Sequence, residues 1–308
     1  MQHVVIIANP FAGTSRGRLD GSDASRLLTE AGFHAEFRPT EGAGHATELA
    51  TEAAAQGVDL VVSLGGDGTV HEVSKGLVGT DTAFGVLPSG SGNDFARAVG
   101  CFTVDQAVHT LSTGTDRLFD TASLDGDFFI NTLGLLASGL ISVRSAQLWR
   151  WLGHWRYTAA SAITLLSYFG QDIHWRLHRG EDLVLDHKGR YLLAEICNAP
   201  FTGGGFCFTP DARPDDGQLD ACLIKRIAPW TAMRYLPKAT TGEPLIHPAI
   251  SVSPCTRLEF TVDAPVGFHR DGEAGFLAAG THVVQIENQS IRVRVPADWS
   301  NNSNLETT

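Results

Sequence analysis

One stretch constrains this chain more than any other: VDLVVSLGGDGTVHEVSKGL, residues 58–77. Val58 to Leu64 reads as a buried strand, Gly65, Gly66 and Gly68 surround Asp67, and after Thr69 a helix opens at about Val70. Glycines let main-chain amides approach a phosphate chain closely, and a helix N-terminus adds oriented N–H groups and a positive dipole end. Asp67 is the informative residue. A carboxylate beside polyphosphate is repelled unless a divalent cation stands between them or a hydroxyl proton is to be accepted. A tight turn with a capping Asp explains one or two of these glycines but not three. Strand, glycine loop and helix therefore predict Mg²⁺-assisted phosphate chemistry, with Asp67 as metal ligand or base.

The same unit recurs through the first hundred residues. Apolar runs at Val4 to Ala8, Phe33 to Phe37, Val58 to Leu64 and Ala83 to Leu87 alternate with helical spacing at Leu19 to Ala31, His45 to Gln56, Val70 to Leu77 and Asp94 to Val99. Such alternation implies βαβ units and a parallel sheet, with ligands at the carboxyl ends of the strands. Two further loops fit that placement. In VLPSGSGNDFAR, Gly90, Ser91 and Gly92 suit an anion nest, Asn93 suits ribose or phosphate, and Asp94 suits a metal-bound water. In NPFAGTSRGR, Asn9, Pro10, Gly13 and Thr14 lie where a nucleotide would rest, and Arg16 or Arg18 can reach a phosphate. No GxxxxGK[ST] or GxGxxG follows the first strand, so the P-loop and Rossmann folds lose ground.

The remainder has another texture. Tyr191 to Ile196, Leu219 to Ile224, Arg257 to Val262, His282 to Ile286 and Ile291 to Val295 are short, rich in β-branched residues and parted by turn residues. They predict a mainly antiparallel β-sandwich as a second domain. We place the α/β domain at residues 1–122, with 295–308 returning to it, and the β domain at 123–294. A net charge of −11 lacks the basic footprint of a nucleic-acid binder. The five cysteines are scattered without a CxxC pair, the short apolar N-terminus reads as a strand, and no run nears the roughly 20 apolar residues of a spanning helix. A cytoplasmic protein is expected.

Arg144 to Phe169 stands apart, with three tryptophans and three arginines before an apolar helical stretch. Trp beside Arg suits a membrane–water interface, and a pair of amphipathic helices over the β core suits it equally. Two late acidic motifs remain: RPDDGQLD at 213–220 and HRDGE at 269–273, both readable alone as turns. The twelve histidines show no paired ligand spacing.

Asn9-Pro10 with Gly13, GGDGTVHEV, GSGNDFAR, RPDDGQLD and HRDGE, in that order, resemble the diacylglycerol kinase catalytic-domain family of lipid kinases, bacterial diacylglycerol kinase and YegS-like lipid kinase included. The resemblance spans nearly the whole chain. It implies an α/β nucleotide domain like those of NAD kinase and phosphofructokinase, and a phosphotransferase with an alcohol acceptor. By position it implies an ATP site at Asn9 to Thr14, Thr40, Gly66 to Glu72, Ser91 and Asn93. An acidic network with Mg²⁺ falls on Asp67, Asp94 and Asp120, and the catalytic DGE motif on Asp271, Gly272 and Glu273. A structural Mg²⁺ site would use Asp216 with the carbonyls of Arg213 and Gln218.

Two departures matter. Gly90-Ser91-Gly92-Asn93-Asp94 stands where the family often has GTxND, which keeps the hydroxyl yet is shared with sphingosine and ceramide kinases. The first loop carries arginines in place of a frequent lysine, and Arg still holds phosphate. The expected reaction is transfer of the γ-phosphate of ATP to a lipid hydroxyl such as that of diacylglycerol. Glu273 or Asp271 is the expected base and Asp67 the competitor. A sphingoid or ceramide-type acceptor and a soluble acceptor, as in NAD kinase, stay open, as does a homodimer. Peripheral membrane contact is expected through the Arg144 to Phe169 segment.

Overall fold

The computed structural model describes residues 1–10, 19–147 and 155–300, and within it the chain divides into two compact units, Met1–Thr121 with Asn288–Thr308, and Ala122–Glu287.

The first unit runs β1 (His3–Ala8), α1 (Gly21–Glu30), β2 (His34–Pro39), α2 (His45–Ala55), β3 (Leu60–Gly65), α3 (Asp67–Leu77), β4 (Ala83–Pro88), α4 (Asp94–Ala98) and α5 (Val104–Thr113), then enters β5 (Thr115–Leu124). Strands β2, β1, β3 and β4 pair in that order and all in parallel. Val4 to Ile7 and Leu60 to Val62 are wholly buried, because a sheet covered by helices on both faces leaves neither side of its strands in water. All four strands therefore deliver their following loops to one edge of the sheet. Helix α5 escapes a reading by apolar spacing, yet its start is written in Thr103 and Gln106, which form a reciprocal capping box.

The second unit continues with β6 (Asp127–Phe129), β7 (Thr132–Leu136), α6 (Ala137–Gln147), α7 (Trp155–Ser167), β8 (Gln171–Arg179), β9 (Asp182–Cys197), β10 (Phe201–Thr202), β11 (Phe206–Cys207), β12 (Leu219–Lys225), α8 (Pro229–Thr241), β13 (Ile250–Cys255), β14 (Arg257–Val262), β15 (Val266–Arg270), β16 (Glu273–Leu277) and β17 (Gly280–Val295). It is an antiparallel β-sandwich. The 16-residue β9 makes it possible: Asp182 to Tyr191 pair with β8, and Leu193 to Cys197 pair with β7 on one side and β12 on the other. A strand that changes partners halfway turns the corner between two sheets. Trp175, Tyr191 and Phe260 fill the core between them, with ring centroids 5.7 and 5.4 Å from Trp175.

One difference from the sequence reading is instructive. His282 to Ile286 and Ile291 to Val295 are not two strands but one, β17, which passes through a kink at Gln289 (φ 49°). The Gln289 amide donates to Asp120 Oδ1 at 2.7 Å, and the Ser290 carbonyl accepts from Gly79 N at 2.7 Å, so the polar residues that look like a turn are held in line. Beyond the kink, Val293 pairs in parallel with Phe84 of β4. Trp299 then packs on Phe119 and donates to the Ala98 carbonyl at 3.2 Å.

Arg144 to Phe169 is helical on both sides of 148–154, which lie outside the described residues. Helix α6 packs on β15 and β7, and α7 on α6. Among the described residues no helix is long and apolar enough to cross a membrane. All five cysteines are buried thiols, and burial pushes Cys101 up to about 11 and Cys207, Cys222 and Cys255 up to about 12.

Candidate functional site

The loops after β3 and β4 are built against each other. Gly66 and Gly90 touch backbone to backbone: a Cβ on Gly66 would lie 3.1 Å from Gly90 Cα, and one on Gly90 would overlap Gly66. Asn93, left-handed at φ 57°, fastens its own loop by accepting from Gly90 N at 2.8 Å and donating to Gly90 O at 3.0 Å. The Asp94 amide donates to Asp67 Oδ1 at 2.8 Å. A Cβ on Gly92 would lie 2.5 Å from Asp67 Oδ2 and 3.6 Å from Asp94 Oδ2, so a glycine preserves the space these two oxygens border.

A cavity of about 200 Å³ opens beside this junction, lined by Asn9, Thr40, Gly42, Ala46, Gly66, Gly68, Thr69 and Glu72. Six of these are residues the sequence marks for nucleotide. Among the described residues nothing lies within 4 Å of where a Cβ on Gly68 would be, although Gly68 lies in the first turn of α3. The described residues do not require a glycine there, whereas a phosphate laid on a helix N-terminus would. Gly65 differs, since a Cβ there would overlap Thr69. Glu72 accepts from Ala46 N at 3.2 Å and so caps α2, whose own N-cap, Gly44, has no side chain to do it. Gly42 and Ala46 were missed by sequence reading; their signal is the run of small residues that follows Thr40. Gly13, Thr14 and Arg16 lie outside the described residues, while Pro10 and Ser91 are described but do not line this cavity.

The remaining acids divide by role. Asp120 is buried and braces Gln289, as above. Among the described residues no three His, Cys, Asp or Glu side chains are grouped to hold a metal ion, so Asp67, Asp94 and Asp120 do not form a ready-made cage. Asp216 accepts from Gln218 N at 3.0 Å within its turn, and Arg213 pairs with Asp215 at 3.2 Å. Asp271, at φ 46° and buried, accepts three amides, from Ile130 and Asn131 at 2.8 Å and from Thr132 at 3.0 Å. It clamps the turn before β7 to the turn after β15. Glu273 is half exposed and pairs with Arg270 at 3.3 Å.

The second unit holds a cavity of about 90 Å³ whose walls are mostly apolar, Leu165, Leu192, Leu193, Phe208 and Ile224 among them. Ser138, Glu195, Thr202 and His269 supply its polar part.

Residues 3–124 match the diacylglycerol kinase catalytic domain, and residues 138–295 match the YegS C-terminal NAD kinase beta sandwich-like domain. The chain belongs to the diacylglycerol kinase and YegS-like lipid kinase family. It is 29% identical to a diacylglycerol kinase of Bacillus subtilis over 294 residues, covering 92% of this chain and 93% of that protein. It is 31% identical over 264 residues to a Chromohalobacter salexigens protein named "Probable lipid kinase YegS-like", covering 82% of each. A solved diacylglycerol kinase structure from Bacillus anthracis shares the fold, with a TM-score of 0.71 at 19% identity, over 96% of this chain and 97% of that one. As a lipid kinase, the chain is a phosphotransferase with an alcohol acceptor. The five motifs that carried the resemblance thus sit in a chain of that family from end to end.

Proposed function

We propose that this lipid kinase transfers the γ-phosphate of ATP, with Mg²⁺, to a hydroxyl of a lipid alcohol such as diacylglycerol. The observation that carries the reading is Gly68. It is a glycine at a helix N-terminus beside a pair of carboxylates, which the described residues do not require and a phosphate chain does. ATP would lie along Asn9, Thr40, Gly66, Gly68 and Thr69, and Gly13, Thr14, Arg16 and Ser91 are its further candidates from the sequence motifs. Mg²⁺ neutralises the triphosphate when bound. Asp67 and Asp94 are the residues to hold it, since two carboxylates fall short of a protein cage and Mg²⁺ characteristically takes its other ligands from phosphate and water. Asp120 steadies the network at one remove.

Phosphoryl transfer leaves the protein little covalent work; positioning and charge do most of it. Glu273 suits the base that accepts the hydroxyl proton, because it is reachable and its neighbour Arg270 orients it. Asp271 suits a positioning role, because both its oxygens already hold main-chain amides. The apolar cavity of the second unit suits an acyl chain. On α7 and just beyond it, Ile163, Leu166 and Phe169 are each about half exposed, and Trp230 at the start of α8 is 74% exposed, which suits contact with the lipid surface that supplies the acceptor. The test is transfer of labelled phosphate from ATP and Mg²⁺ into a total lipid extract. A labelled lipid product supports the reading. Labelling of NAD or another soluble alcohol, with none in lipid, overturns it.

A further inference from the structure

Across the second unit, three neighbouring strands place Glu195, Gly134 and His269 in one row: Gly134 of β7 is the register partner of Glu195 on β9 and of His269 on β15. Directly paired residues share a face, so the glycine is a gap between a carboxyl and an imidazole. A Cβ at Gly134 would overlap both the His269 ring and the Ser138 hydroxyl. Ser138 fills that gap from α6, donating to Glu195 Oε1 and lying 2.9 Å from His269 Nε2. His269 Nε2 is itself 3.6 Å from Glu195 Oε1. The residue just before α6, Leu136, is held at φ 66°, a conformation that costs a non-glycine residue energy and recurs at functional sites.

This group is not a hydrolase triad. There the acid holds the imidazole nitrogen opposite the serine, whereas here serine and acid share Nε2. Its distinguishing feature is Glu195 Oε2, which has no hydrogen-bond partner among the described residues although Glu195 is 0% exposed and lines the apolar cavity. A buried carboxyl oxygen left unpaired is destabilising, so its retention calls for a partner that the protein does not itself provide.

We propose that Glu195 is a specificity residue that binds a second hydroxyl of the acceptor lipid, one other than the hydroxyl that receives phosphate. This rests on the lipid kinase reading above and narrows its acceptor from diacylglycerol, whose one free hydroxyl is the reacting one, to a lipid that carries two free hydroxyls. A hydroxyl both donates and accepts, so it satisfies Oε2 whichever protonation state the carboxyl holds; an ester carbonyl only accepts and an ammonium only donates. The hydroxyl at Glu195 is not the reacting one, because an oxygen enclosed among apolar side chains is no place for a triphosphate to arrive.

Two single-chain lipids that differ by one hydroxyl, 1-O-dodecylglycerol and 3-dodecyloxypropan-1-ol, provide the test with the intact protein. The wild-type enzyme should phosphorylate the diol with a kcat/KM roughly ten- to a hundred-fold higher than the mono-ol, the scale of leaving one buried polar group without a hydrogen bond. Glu195→Gln should lose that preference by slowing the diol alone and leaving the mono-ol unchanged. Equal rates in the wild type, failure to use the diol, or a Gln variant that slows both lipids alike would each overturn the proposal. The wild-type preference needs no variant, so an unfolded Glu195→Gln still leaves a decisive result. Labelling of the total lipid extract separates the two ideas: a labelled extract with no diol preference removes Glu195's role and leaves the kinase reading standing, and an unlabelled extract removes both.

Discussion

The main-chain amide of Asp94 donates to Asp67 Oδ1 at 2.8 Å, and through that one bond the glycine loop after β3 and the glycine loop after β4 share a carboxylate. Asp67 thus has a structural oxygen and one turned to the space beside Gly92. The two jobs separate by substitution. Asp67→Asn keeps an oxygen for the Asp94 amide and removes the charge, so the melting temperature should hold while phosphoryl transfer falls on the order of a hundred-fold or more, the scale of losing one charge-stabilising group. Asp67→Ala should lower both. Thermal melts beside a kinase assay decide it, and an active Asn variant would take the charge of Asp67 out of the reaction.

Gly68→Ala should stabilise the protein and impair it. The new methyl meets none of the described residues within 4 Å, and alanine exceeds glycine in helix propensity by about 1 kcal/mol. Denaturant unfolding should report a gain of that order or somewhat less, while calorimetry should show weaker ATP binding. A variant that binds ATP as the wild type does would place the phosphates elsewhere.

Asp271 and Glu273, two residues apart in one motif, should fail in opposite ways. Asp271→Ala strands three buried amides and should cost roughly 3 kcal/mol or more of stability. Glu273→Gln alters a half-exposed side chain and should leave stability within about 0.5 kcal/mol. Its kcat should fall about a hundred-fold or more, as for loss of a general base. If Glu273→Gln is fully active, the proton goes to another carboxylate.

Asp220 gives stability a pH dependence. Burial, with Asp216 and Asp211 adding like charge, pushes its carboxyl up to about 6 from an ordinary 3.8. The fold therefore disfavours the ionised form. That penalty is complete above pH 6, shrinks as pH falls and is gone below 3.8. Asp220→Asn should accordingly raise the melting temperature at pH 7.5 in EDTA and make no difference near the acid end of that window. A gain that is the same at both pH values would assign it to packing and not to charge.

The sequence by itself determined the alternation of strands and helices, the glycine loops after β3 and β4 and the order of motifs, because those are local: periodicity writes the strand, and glycine writes the tight loop that follows it. It also marked Thr40, Gly66, Gly68, Thr69 and Glu72, which line one cavity. Only the tertiary structure decided which member of a motif does what. Asp271 and Glu273 look equivalent in HRDGE, and the difference lies in amides contributed from residues 130–132, far away in sequence. Gly134 carries no motif at all. Its meaning appears only when strands from three parts of the chain set Glu195 and His269 on either side of it, because a missing side chain becomes a feature only through its neighbours.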